Sequence, residues 1–522
     1  MKSAAVLQVV AVALAFGQAW VDIRGRGTEG YDVAVSDSGN VFSLGSAAWK
    51  EKSAGIDIAA LTSGGQQRWT HHFTRPSAFT ETNGKIRLSA SGIVASVVAG
   101  SGYAGYSALY IMACSPSGDS LWSRYHDTGK YGNAQPYDVA VDDIGNVFIT
   151  GPASTDSTGW DIYTTKVRPS GALAWERRYD GQRHADDYGR GIALDSDGNV
   201  YVAGEMRNAL NKRKPIILKY DSSGTLVWDR LFGVQEDDNG GYSDIGLDPT
   251  GRIYAAGWGW LGAPSPVAMY SSGGDSIWTR LITGQVSYLA PDLAGSVYLT
   301  GYDGNDLSTW KYDSLGNTLW QRKYRGTANQ QASPGGVCLG SDGNPVVLGS
   351  SIGLGTDMDI ATIKYSPAGD SMWVANFHYY LADFGLGLAT DAASNVYVTG
   401  RCTDSTSGYV WVTLEYRASG PGVAENPDER PESASNAIRV VPSVVSGRCR
   451  FEVPEGCDVG GIRILDITGR VVRELELEPG SGSGDGSRCV IWNAADEQGQ
   501  PVPNGIYVAT ASGSSAKFLL HR

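Results

Sequence analysis

Short strands joined by glycine-rich turns are the structure that this sequence predicts, so we assign the chain to the all-β class. Gly is abundant, with 69 residues in a chain of 522, and aromatic residues make up 10%. No long apolar helical stretch follows the N-terminal segment, and two short motifs recur through most of the chain. A single hydrophobic core stops growing at roughly 250–300 residues. The sequence therefore predicts several cores or a modular ring.

The N-terminal segment has the pattern of a secretory signal. Lys2 precedes an apolar stretch (6–16), and the small residues Gly17 and Ala19 occupy the positions that a signal peptidase requires. The apolar stretch is too short for a membrane span. The sequence thus predicts a signal peptide over residues 1–19 and a mature chain that leaves the cytoplasm without a membrane span. The alternative is a buried N-terminal strand.

The first recurring motif is an Asp-rich turn followed by a β-branched strand. Its eight copies, of which the second is worn, are SDSGNVFSLG (36–45), SASGIVASVV (89–98), DDIGNVFITG (142–151), DSDGNVYVAG (195–204), DPTGRIYAAG (248–257), DLAGSVYLTG (292–301), GSDGNPVVLG (340–349) and DAASNVYVTG (391–400). The turn glycines of the first five copies are 53 residues apart, and Ser394 takes that place in the last copy. So regular a period indicates stacked supersecondary units.

The same motif resembles the beginning of a calcium-binding loop, because Asp195 and Asp197 alternate in one copy. An EF-hand loop needs oxygen ligands at further positions and a distal Glu. Here Asn199 and apolar strand residues follow instead. We therefore interpret the motif as a structural turn.

The second motif places a Gly four residues before a Trp. The Trp residues of its copies are Trp69, Trp122, Trp175, Trp228, Trp278, Trp320 and Trp373. Each unit then reads as a first strand, a Gly turn, two more strands, a second Gly turn and the Trp strand. Four such short strands bury their faces when sheets pack around an axis, which is the β-propeller arrangement. The Trp side chains, at roughly 150–250 Å² each, are large enough to fill the wedge between neighbouring sheets.

The last unit, from about Gly385 to Arg417, has three strands and no Trp strand. The missing strand lies at the other end of the mature chain, where Trp20 opens the same order of Trp strand, loop and first strand. We predict that this N-terminal strand completes the last blade and closes the ring. The predicted propeller spans residues 20–419 and has eight blades, or seven if the second unit, whose motif has diverged, is irregular.

A separate module follows the propeller. Residues 420–436 are rich in Pro, Ser, Glu and Asp, which predicts a linker. From Ala437 short alternating strands resume without the Trp repeat. They predict a small Ig-like β-sandwich over residues 437–522.

Charge and cysteine content exclude several functions. The formal net charge is −13 and Lys and Arg form no stripe, which disfavours binding of nucleic acid. None of the cysteines forms a C-x-x-C pair, so neither zinc nor thioredoxin-like chemistry is indicated. Cys114, Cys338 and Cys402 are expected to be buried small residues. Among Cys449, Cys457 and Cys489 one disulfide is possible, with the pairing open.

Catalytic motifs of the G-x-S-x-G, H-E-x-x-H and Walker A types are missing from the sequence, and we predict neither a metal nor a cofactor. The loops leading into first strands carry Glu29, Asp187, Asp238 and Asp383. In a propeller these carboxylates would gather on one face near the axis, where they could bind a ligand or act as an acid/base pair. Their recurrence in several units favours a structural role instead, such as capping turns.

An insert that departs from the repeat, WGWLGAPSP (258–266), carries two more candidate residues. Trp258 and Trp260 would suit stacking on a sugar if they are exposed. Burial between blades is the alternative.

The motifs resemble two known families. The repeated D-x-x-G-N-V-Y-x-x-G and Y-x-x-x-G-x-x-x-W signals resemble the bacterial β-propeller repeat family SBBP, whose name suggests seven blades. The last 85 residues or so resemble the Ig-like domain of flagellar hook-capping proteins and the C-terminal sorting domain of the type IX secretion system. The positions that carry the second resemblance are Asp466, Gly469, Arg470, Trp492, Gly499, Pro503, Gly505 and Tyr507.

The sorting resemblance implies that residues 437–522 engage a secretion machinery, so that the protein would pass through the periplasm of a Gram-negative-type bacterium. An Ig-like spacer without an export role is the alternative. Together these features favour an exported, monomeric, non-catalytic propeller that binds a protein or a glycan at the cell surface or outside the cell. An extracellular polysaccharide hydrolase or lyase using the axial carboxylates and a passive protein of the cell envelope are the other two hypotheses.

Overall fold

The computed structural model describes residues 18–418, apart from 27, 47–54, 75–79, 93, 102–106, 127–133, 156–158, 182–183, 234–238, 354–355 and 405–407. It also describes residues 439–520, apart from 442–443, 446–448, 454–460, 467–469, 477–487, 503–504 and 512–513. Within these ranges the secondary structure is β, with one 3-10 turn at Trp260–Gly262. The all-β prediction is confirmed. These ranges contain no helix long and apolar enough to cross a membrane.

Eight four-stranded antiparallel sheets form the first part of the described chain. Their first strands are β2 (Gly30–Val35), β6 (Thr80–Leu88), β10 (Asp138–Val141), β14 (Tyr188–Leu194), β18 (Gly240–Leu247), β22 (Gln285–Pro291), β26 (Ala332–Leu339) and β30 (Asp383–Thr390). Their second strands are β3 (Val41–Ser46), β7 (Val94–Ser101), β11 (Val147–Thr155), β15 (Val200–Arg207), β19 (Ile253–Gly259), β23 (Val297–Asp303), β27 (Pro345–Ile352) and β31 (Val396–Thr403).

The two outer strands of each sheet follow in the same order. The third strands are β4 (Gly55–Leu61), β8 (Ser107–Cys114), β12 (Gly159–Val167), β16 (Arg213–Tyr220), β20 (Ser265–Tyr270), β24 (Asp306–Tyr312), β28 (Met358–Tyr365) and β32 (Tyr409–Tyr416). The fourth strands are β5 (Gln67–Thr74), β9 (Ser120–His126), β13 (Leu173–Tyr179), β17 (Leu226–Leu231), β21 (Ser276–Ile282), β25 (Thr318–Tyr324), β29 (Ser371–Phe377) and β1 (Gln18–Arg26). We number the sheets 1 to 8 by their first strands.

The sheets stand side by side as propeller blades. Each first strand contacts the first strand of the next sheet, and β30 contacts β2, so the first strands surround an axis. Because neighbouring strands are antiparallel, the Gly turns of the two repeated motifs lie on one face, which we call the turn face. The loops between second and third strands, and those between successive sheets, lie on the opposite face, which we call the loop face. The propeller prediction is confirmed.

The N-terminal strand completes sheet 8, as predicted. β1 pairs antiparallel with β32, with Trp20 opposite Glu415 and Asp22 opposite Thr413. Trp20 is buried, and its Nε1 donates a hydrogen bond to the Ser63 carbonyl of sheet 1 at 3.0 Å. Residues 1–17 of the predicted signal peptide lie outside the described residues. The predicted cleavage after Ala19 falls within β1.

The Asp-rich motif is a turn held by its own carboxylate. Asp195 Oδ1 accepts hydrogen bonds from the backbone N–H groups of Asp197 and Asn199, and Oδ2 accepts from the side chains of Asn199 and Tyr201. Gly198 has a φ of 77°, the left-handed conformation that glycine adopts without steric cost. Ser394 replaces glycine at the corresponding place and has a φ of 60°. The carboxylate therefore serves the turn, as the sequence indicates.

The Trp side chains join each sheet to the next. In sheet 3 the ring of Trp175 packs beneath the Gly224 turn of sheet 4, and its Nε1 donates to the Ser222 carbonyl at 3.2 Å. Hydrogen bonds of the same kind are donated by Trp69, Trp122, Trp278 and Trp320. The Trp ladder thus packs between sheets, as predicted.

An arginine two residues after the Trp repeats this link, although the sequence motifs had not suggested it. Arg177 Nε donates to the Gly224 carbonyl at 2.6 Å, beside the Trp175 ring. Arg124, Arg230, Arg280 and Arg322 donate to the corresponding turn glycines of their next sheets. The recurring W-x-R signal in the sequence therefore marks a contact between sheets.

The C-terminal module is a two-sheet structure. One sheet contains β33 (Arg439–Val441), β35 (Cys449–Val453) and β38 (Arg488–Trp492), and the other contains β34 (Val444–Val445), β36 (Gly461–Asp466), β37 (Val471–Glu476), β39 (Gly505–Ala511) and β40 (Ser514–Leu520). Phe451 and Trp492 of the first sheet share a core with Ile464 and Tyr507 of the second. This packing of two sheets is the predicted β-sandwich. The predicted linker 420–436 lies outside the described residues.

Of the three cysteines predicted to be buried small residues, Cys114 and Cys402 are buried and Cys338 is partly buried. Cys449, a candidate for a disulfide, is buried, and all four of these cysteines have free thiols. Cys457 and the side chain of Cys489 lie outside the described residues. A disulfide between those two therefore stays a prediction.

Candidate functional site

The axis of the propeller holds a cavity of about 1240 Å³. Residues from all eight sheets line it, mainly from their first strands. The charged and aromatic lining residues are Glu29, Tyr31, Asp32, Lys85, Arg87, Tyr137, Asp138, Arg190, Asp244, Trp258, Tyr288 and Arg401. The cavity is therefore polar and contains charges of both signs.

Three aspartates on alternate first strands help to hold this ring together. Asp32 accepts a hydrogen bond from Val33 of its own strand and another from Ile86 of the next sheet. Asp138 and Asp244 do the same, bonding across to Ile192 and Leu289. The sequence carried a signal for two of them, because YDVAV recurs at 31–35 and 137–141. These carboxylates therefore have a structural task in addition to facing the cavity.

Basic side chains neutralise part of this acidic ring. Arg87 lies 2.8 Å from Asp32 and 3.4 Å from Asp138. Burial lowers the pKa of Lys85, but Asp32, Tyr288 and Asp138 outweigh it and hold that pKa above its ordinary value. Burial, together with the charge of Asp138, raises the pKa of Asp244 to about 7. A cavity of this kind suits a polar ligand rather than an apolar one.

A buried carboxylate organises two arginines where the cavity opens on the loop face. Glu205 of β15 is fully buried. Arg190 donates to both of its oxygens, at 3.1 and 2.7 Å, and Arg213 donates to Oε1 at 3.1 Å. The two guanidinium groups are therefore fixed in place by charge-assisted hydrogen bonds.

Aromatic rings surround the two arginines. The guanidinium of Arg190 lies 4.8 Å from the ring centre of Tyr137 and 5.3 Å from that of Tyr188. The guanidinium of Arg213 contacts three rings, those of Tyr188 at 5.4 Å, Trp258 at 5.8 Å and Trp260 at 5.6 Å. We call these seven residues, Tyr137, Tyr188, Arg190, Glu205, Arg213, Trp258 and Trp260, the arginine–aromatic cluster.

The two tryptophans of the cluster are the predicted Trp258 and Trp260. Their ring centres are 5.9 Å apart at an interplanar angle of 59°. Trp258 is half-buried and lines the cavity, whereas Trp260 is 47% exposed on the loop face. Neither ring is buried between sheets, so both remain candidate ligand-binding residues. No sequence signal marks Arg213 and Glu205, because their contact depends on the register of β15 and β16.

The predicted acidic residues that the structure describes do not all face the cavity. Glu29 lines the cavity, with its Oε2 3.4 Å from Arg401. Asp187 and Asp383 are fully buried and do not line it. Asp238 lies outside the described residues. The described members of this set therefore form no carboxylate ring around the axis.

Asp187 instead fastens a loop. Its carboxylate accepts hydrogen bonds from the backbone N–H groups of Gly181, at 2.5 Å, and Arg207, at 2.8 Å. Burial raises its pKa to about 6, against the effect of these hydrogen bonds. Both of its oxygens are thus used by the backbone, which agrees with the structural role that the recurrence of these carboxylates favours.

Comparisons with known proteins fit this architecture. The beta-propeller repeat family SBBP matches residues 177–205, and the FlgD Ig-like domain family matches residues 435–517. No curated protein sequence matches the chain. A propeller repeat fold suggests a binding or structural role.

Solved structures that the chain matches include the WD40 domain of SCAP from fission yeast, at 9% identity and a TM-score of 0.44, covering 76% of this chain and 94% of that one. A protein of unknown function from Dyadobacter fermentans DSM 18053 is 11% identical with a TM-score of 0.38, covering 66% of this chain and 96% of its own. A eukaryotic initiation factor is 9% identical with a TM-score of 0.38, covering 78% and 96%. The chain is thus similar to SBBP propeller repeats over residues 177–205 and to FlgD Ig-like domains over residues 435–517.

Proposed function

We propose that this protein is an exported, non-catalytic β-propeller that binds a glycan on its loop face, at the arginine–aromatic cluster. The observation that carries the proposal is the exposed Trp260 ring beside Trp258, with Arg213 held against both by the buried Glu205. Flat aromatic faces pack against the apolar faces of sugar rings, and nearby donors fix their orientation.

Preorganisation supports this site. Ordering a long side chain on binding costs roughly 0.5–1.5 kcal/mol. Arg190 and Arg213 are already held by Glu205 and by aromatic rings, so much of that cost is met before a ligand arrives. The adjoining cavity of about 1240 Å³ exceeds the roughly 300–1,000 Å³ of typical small-molecule sites. A ligand of several sugar units therefore has room to extend from Trp260 towards the axis.

The same geometry favours binding over hydrolysis. Hydrolysis of a glycosidic bond by two carboxylates requires them to face one sugar at a defined separation. Asp187 is committed to backbone N–H groups, and the three cavity aspartates bond across neighbouring strands. This arrangement supports the non-catalytic hypothesis over the hydrolase or lyase.

Export is the second half of the proposal. The pattern of residues 1–19 supports it, and so does the resemblance of the sequence of residues 437–522 to the sorting domain of type IX secretion. Residues 435–517 also match the FlgD Ig-like family. The mature chain would then begin at Trp20 and be released or held at the cell surface. N-terminal sequencing of protein recovered outside the cells tests this start point.

The binding proposal is tested with a panel of soluble oligosaccharides and isothermal titration calorimetry. Trp260→Ala is expected to weaken the affinity for a bound oligosaccharide about tenfold, which corresponds to roughly 1.4 kcal/mol. Leu293→Ala is the control, because Leu293 is 85% exposed on the opposite, turn face. Unchanged affinity in Trp260→Ala would remove the cluster as the site. Binding to no member of the panel would shift the proposal to a protein ligand.

A further inference from the structure

Three potential metal ligands meet on the loop face between sheets 7 and 8. Asp359 belongs to β28, His378 follows β29 and Asp383 begins β30, and one ligand atom from each lies within 4.8 Å of the others. The Nδ1 atom of His378 lies 2.9 Å from Asp359 Oδ1 and 3.6 Å from Asp383 Oδ2. One imidazole nitrogen thus faces two carboxylates.

This group is buried and short of positive charge. The side chains of Asp359, His378 and Asp383 are 8%, 12% and 0% exposed. In the described part of the chain, no Lys or Arg forms an ion pair with either carboxylate. Buried carboxylates are costly unless they are paired with a cation or coordinate a metal ion. A single imidazole can supply at most one positive charge for the two.

In sheet 6 the carboxylate at the position equivalent to Asp359 is that of Asp306, and basic side chains neutralise it. Asp306 lies in β24, and it is paired with Arg325 at 2.6 Å and Lys323 at 3.7 Å. Sheet 7 offers neither cation to Asp359. The group at sheet 7 therefore lacks the counter-charge that its equivalent in sheet 6 has.

Asp383 provides a second observation. Its Oδ2 accepts a hydrogen bond from the Tyr379 N–H at 2.6 Å. Its Oδ1 is buried and accepts no hydrogen bond from any described nitrogen or hydroxyl group. The buried thiol of Cys402 donates a hydrogen bond to this carboxylate, but a thiol is only a weak donor. A buried carboxylate oxygen therefore retains an acceptor site.

We propose that Asp359, His378 and Asp383 bind a divalent transition-metal ion of the Zn²⁺ class. An imidazole nitrogen with two carboxylate oxygens is a donor set that Zn²⁺ accepts, whereas Ca²⁺ prefers oxygen ligands alone. Three protein ligands leave a fourth position for water or for the nearby Cys402 thiolate. The ion connects the outer strands of sheet 7 to the first strand of sheet 8.

The chain contains a matched control for this site. Asp57 of β4 and His72 of β5 also form an Asp–His pair between a third and a fourth strand, with Nδ1 and Oδ1 2.8 Å apart, although their side chains are more exposed, at 23% and 39%. No third His, Cys, Asp or Glu in the described ranges completes a metal-binding group there. If the pair alone were sufficient, both places would bind metal. If the third carboxylate is required, only the site at sheet 7 will bind.

The test uses the full mature chain without a polyhistidine tag, stripped of metal with a chelator and then titrated with Zn²⁺ by calorimetry and with Co²⁺ by visible absorption. The wild type and His72→Ala are expected to bind one ion per chain and to gain thermal stability from Zn²⁺. Removing a residue that only hydrogen-bonds to a metal ligand already costs about 10–100-fold in metal affinity. His378→Ala removes a ligand itself and should therefore bind at least about 100-fold more weakly.

Asp383→Asn provides an independent variant, because it retains the size of the side chain and an oxygen for the Tyr379 N–H. It too should lose tight binding while the far-UV circular dichroism spectrum stays that of the wild type. The proposal is overturned if the stripped wild type shows no saturable Zn²⁺ binding. It is equally overturned if both His378→Ala and Asp383→Asn bind as the wild type does.

Discussion

Residue environment decides what each carboxylate of this protein does. Asp195 and Asp244 are both aspartates of the repeat, and both accept backbone hydrogen bonds. Burial opposes ionisation of Asp195, but the hydrogen bonds from Asn199, Tyr201 and Asp197 outweigh it and hold its pKa below the ordinary value. At Asp244 burial prevails, and the pKa rises to about 7. The difference follows from the neighbours, because the residue type is the same.

The raised pKa of Asp244 predicts a pH dependence of stability. Between its ordinary value of 3.8 and about 7, the folded protein holds a proton that the unfolded chain has released. Asp244 therefore makes the free energy of unfolding fall as pH rises through this window, with the full loss present above about pH 7. Asp244→Asn has no such proton, so its loss of stability from pH 5 to pH 8 should be smaller than that of the wild type. Urea unfolding at both pH values measures the free energy of unfolding of the two proteins.

Asp248→Asn is the control for this experiment. The pKa of Asp248 is lowered, since hydrogen bonds from Thr250 and Arg252 outweigh the effect of burial. Its contribution to stability is lost only as the pH falls below its ordinary value of 3.8. Asp248→Asn should therefore show the same difference in the free energy of unfolding between pH 5 and pH 8 as the wild type. A difference in Asp244→Asn as large as in the wild type would contradict the prediction.

At the residue scale the sequence identified part of the candidate site. Trp258 and Trp260 were recognisable because they interrupt the repeat. Arg213 and Glu205 were not, because their contact arises from the pairing of two strands and from burial of a carboxylate that looks like any other in the sequence. A site assembled across strands becomes visible only when register is known.

The unit of construction at the element scale is a glycine turn resting on a tryptophan of the preceding sheet. Gly224 has a φ of 84° and lies over the ring of Trp175. The motif spacing predicted this turn and the position of the Trp. The Arg177 hydrogen bond to the same turn adds a polar contact. The positive φ and the close contact with the Trp175 ring together require glycine at residue 224.

Substitutions of two glycines in sheet 4 separate the cost of the positive φ from the cost of the contact with the Trp ring. Gly224→Ala is expected to cost roughly 1–2 kcal/mol for its positive φ and a further 1–3 kcal/mol, roughly, for overpacking, because the new Cβ would lie 2.6 Å from Trp175 Cδ2. Gly198→Ala has a similar φ of 77° but meets nothing closer than 3.6 Å, so only the first cost applies. Chemical denaturation followed by tryptophan fluorescence compares them. Equal destabilisation by the two substitutions would argue against the packing role of the Trp.

Element pairing was predictable where the repeat specified it. The antiparallel order within sheets 1 to 7 follows from short turns, which leave neighbouring strands no other partner. In the C-terminal module no repeat exists, and the two residues of β34 pair in parallel with β40 at the far end of the domain. Such a short strand carries no periodic signal, so the sandwich was predictable and this pairing was not.

At the scale of the whole molecule, the ring depends on one strand from the N-terminus. Trp20 is 2% exposed, packs 6.2 Å from the ring centre of Tyr397 and bonds to the Ser63 carbonyl. It therefore joins sheet 8 to sheet 1. The sequence predicted this closure because the last unit lacked the strand that the first segment supplied.

Trp20→Ala should consequently destabilise the propeller far more than a surface substitution. Truncating a buried Trp costs roughly 3–5 kcal/mol. Trp260→Ala, at a ring that is 47% exposed, should change stability by no more than about 0.5 kcal/mol. Thermal unfolding of both variants tests the difference. Similar melting temperatures for the two variants would show that closure by β1 contributes little.

Closure by β1 also sets an order of assembly. Translation delivers β1 first, whereas its partner β32 arrives only after seven complete sheets. Contacts between such distant segments require closing a long loop and form late in folding. Until then the first strand has no partner within its own sheet, and the edge of β32 stands open. The last step in building this ring is therefore to join its beginning to its end.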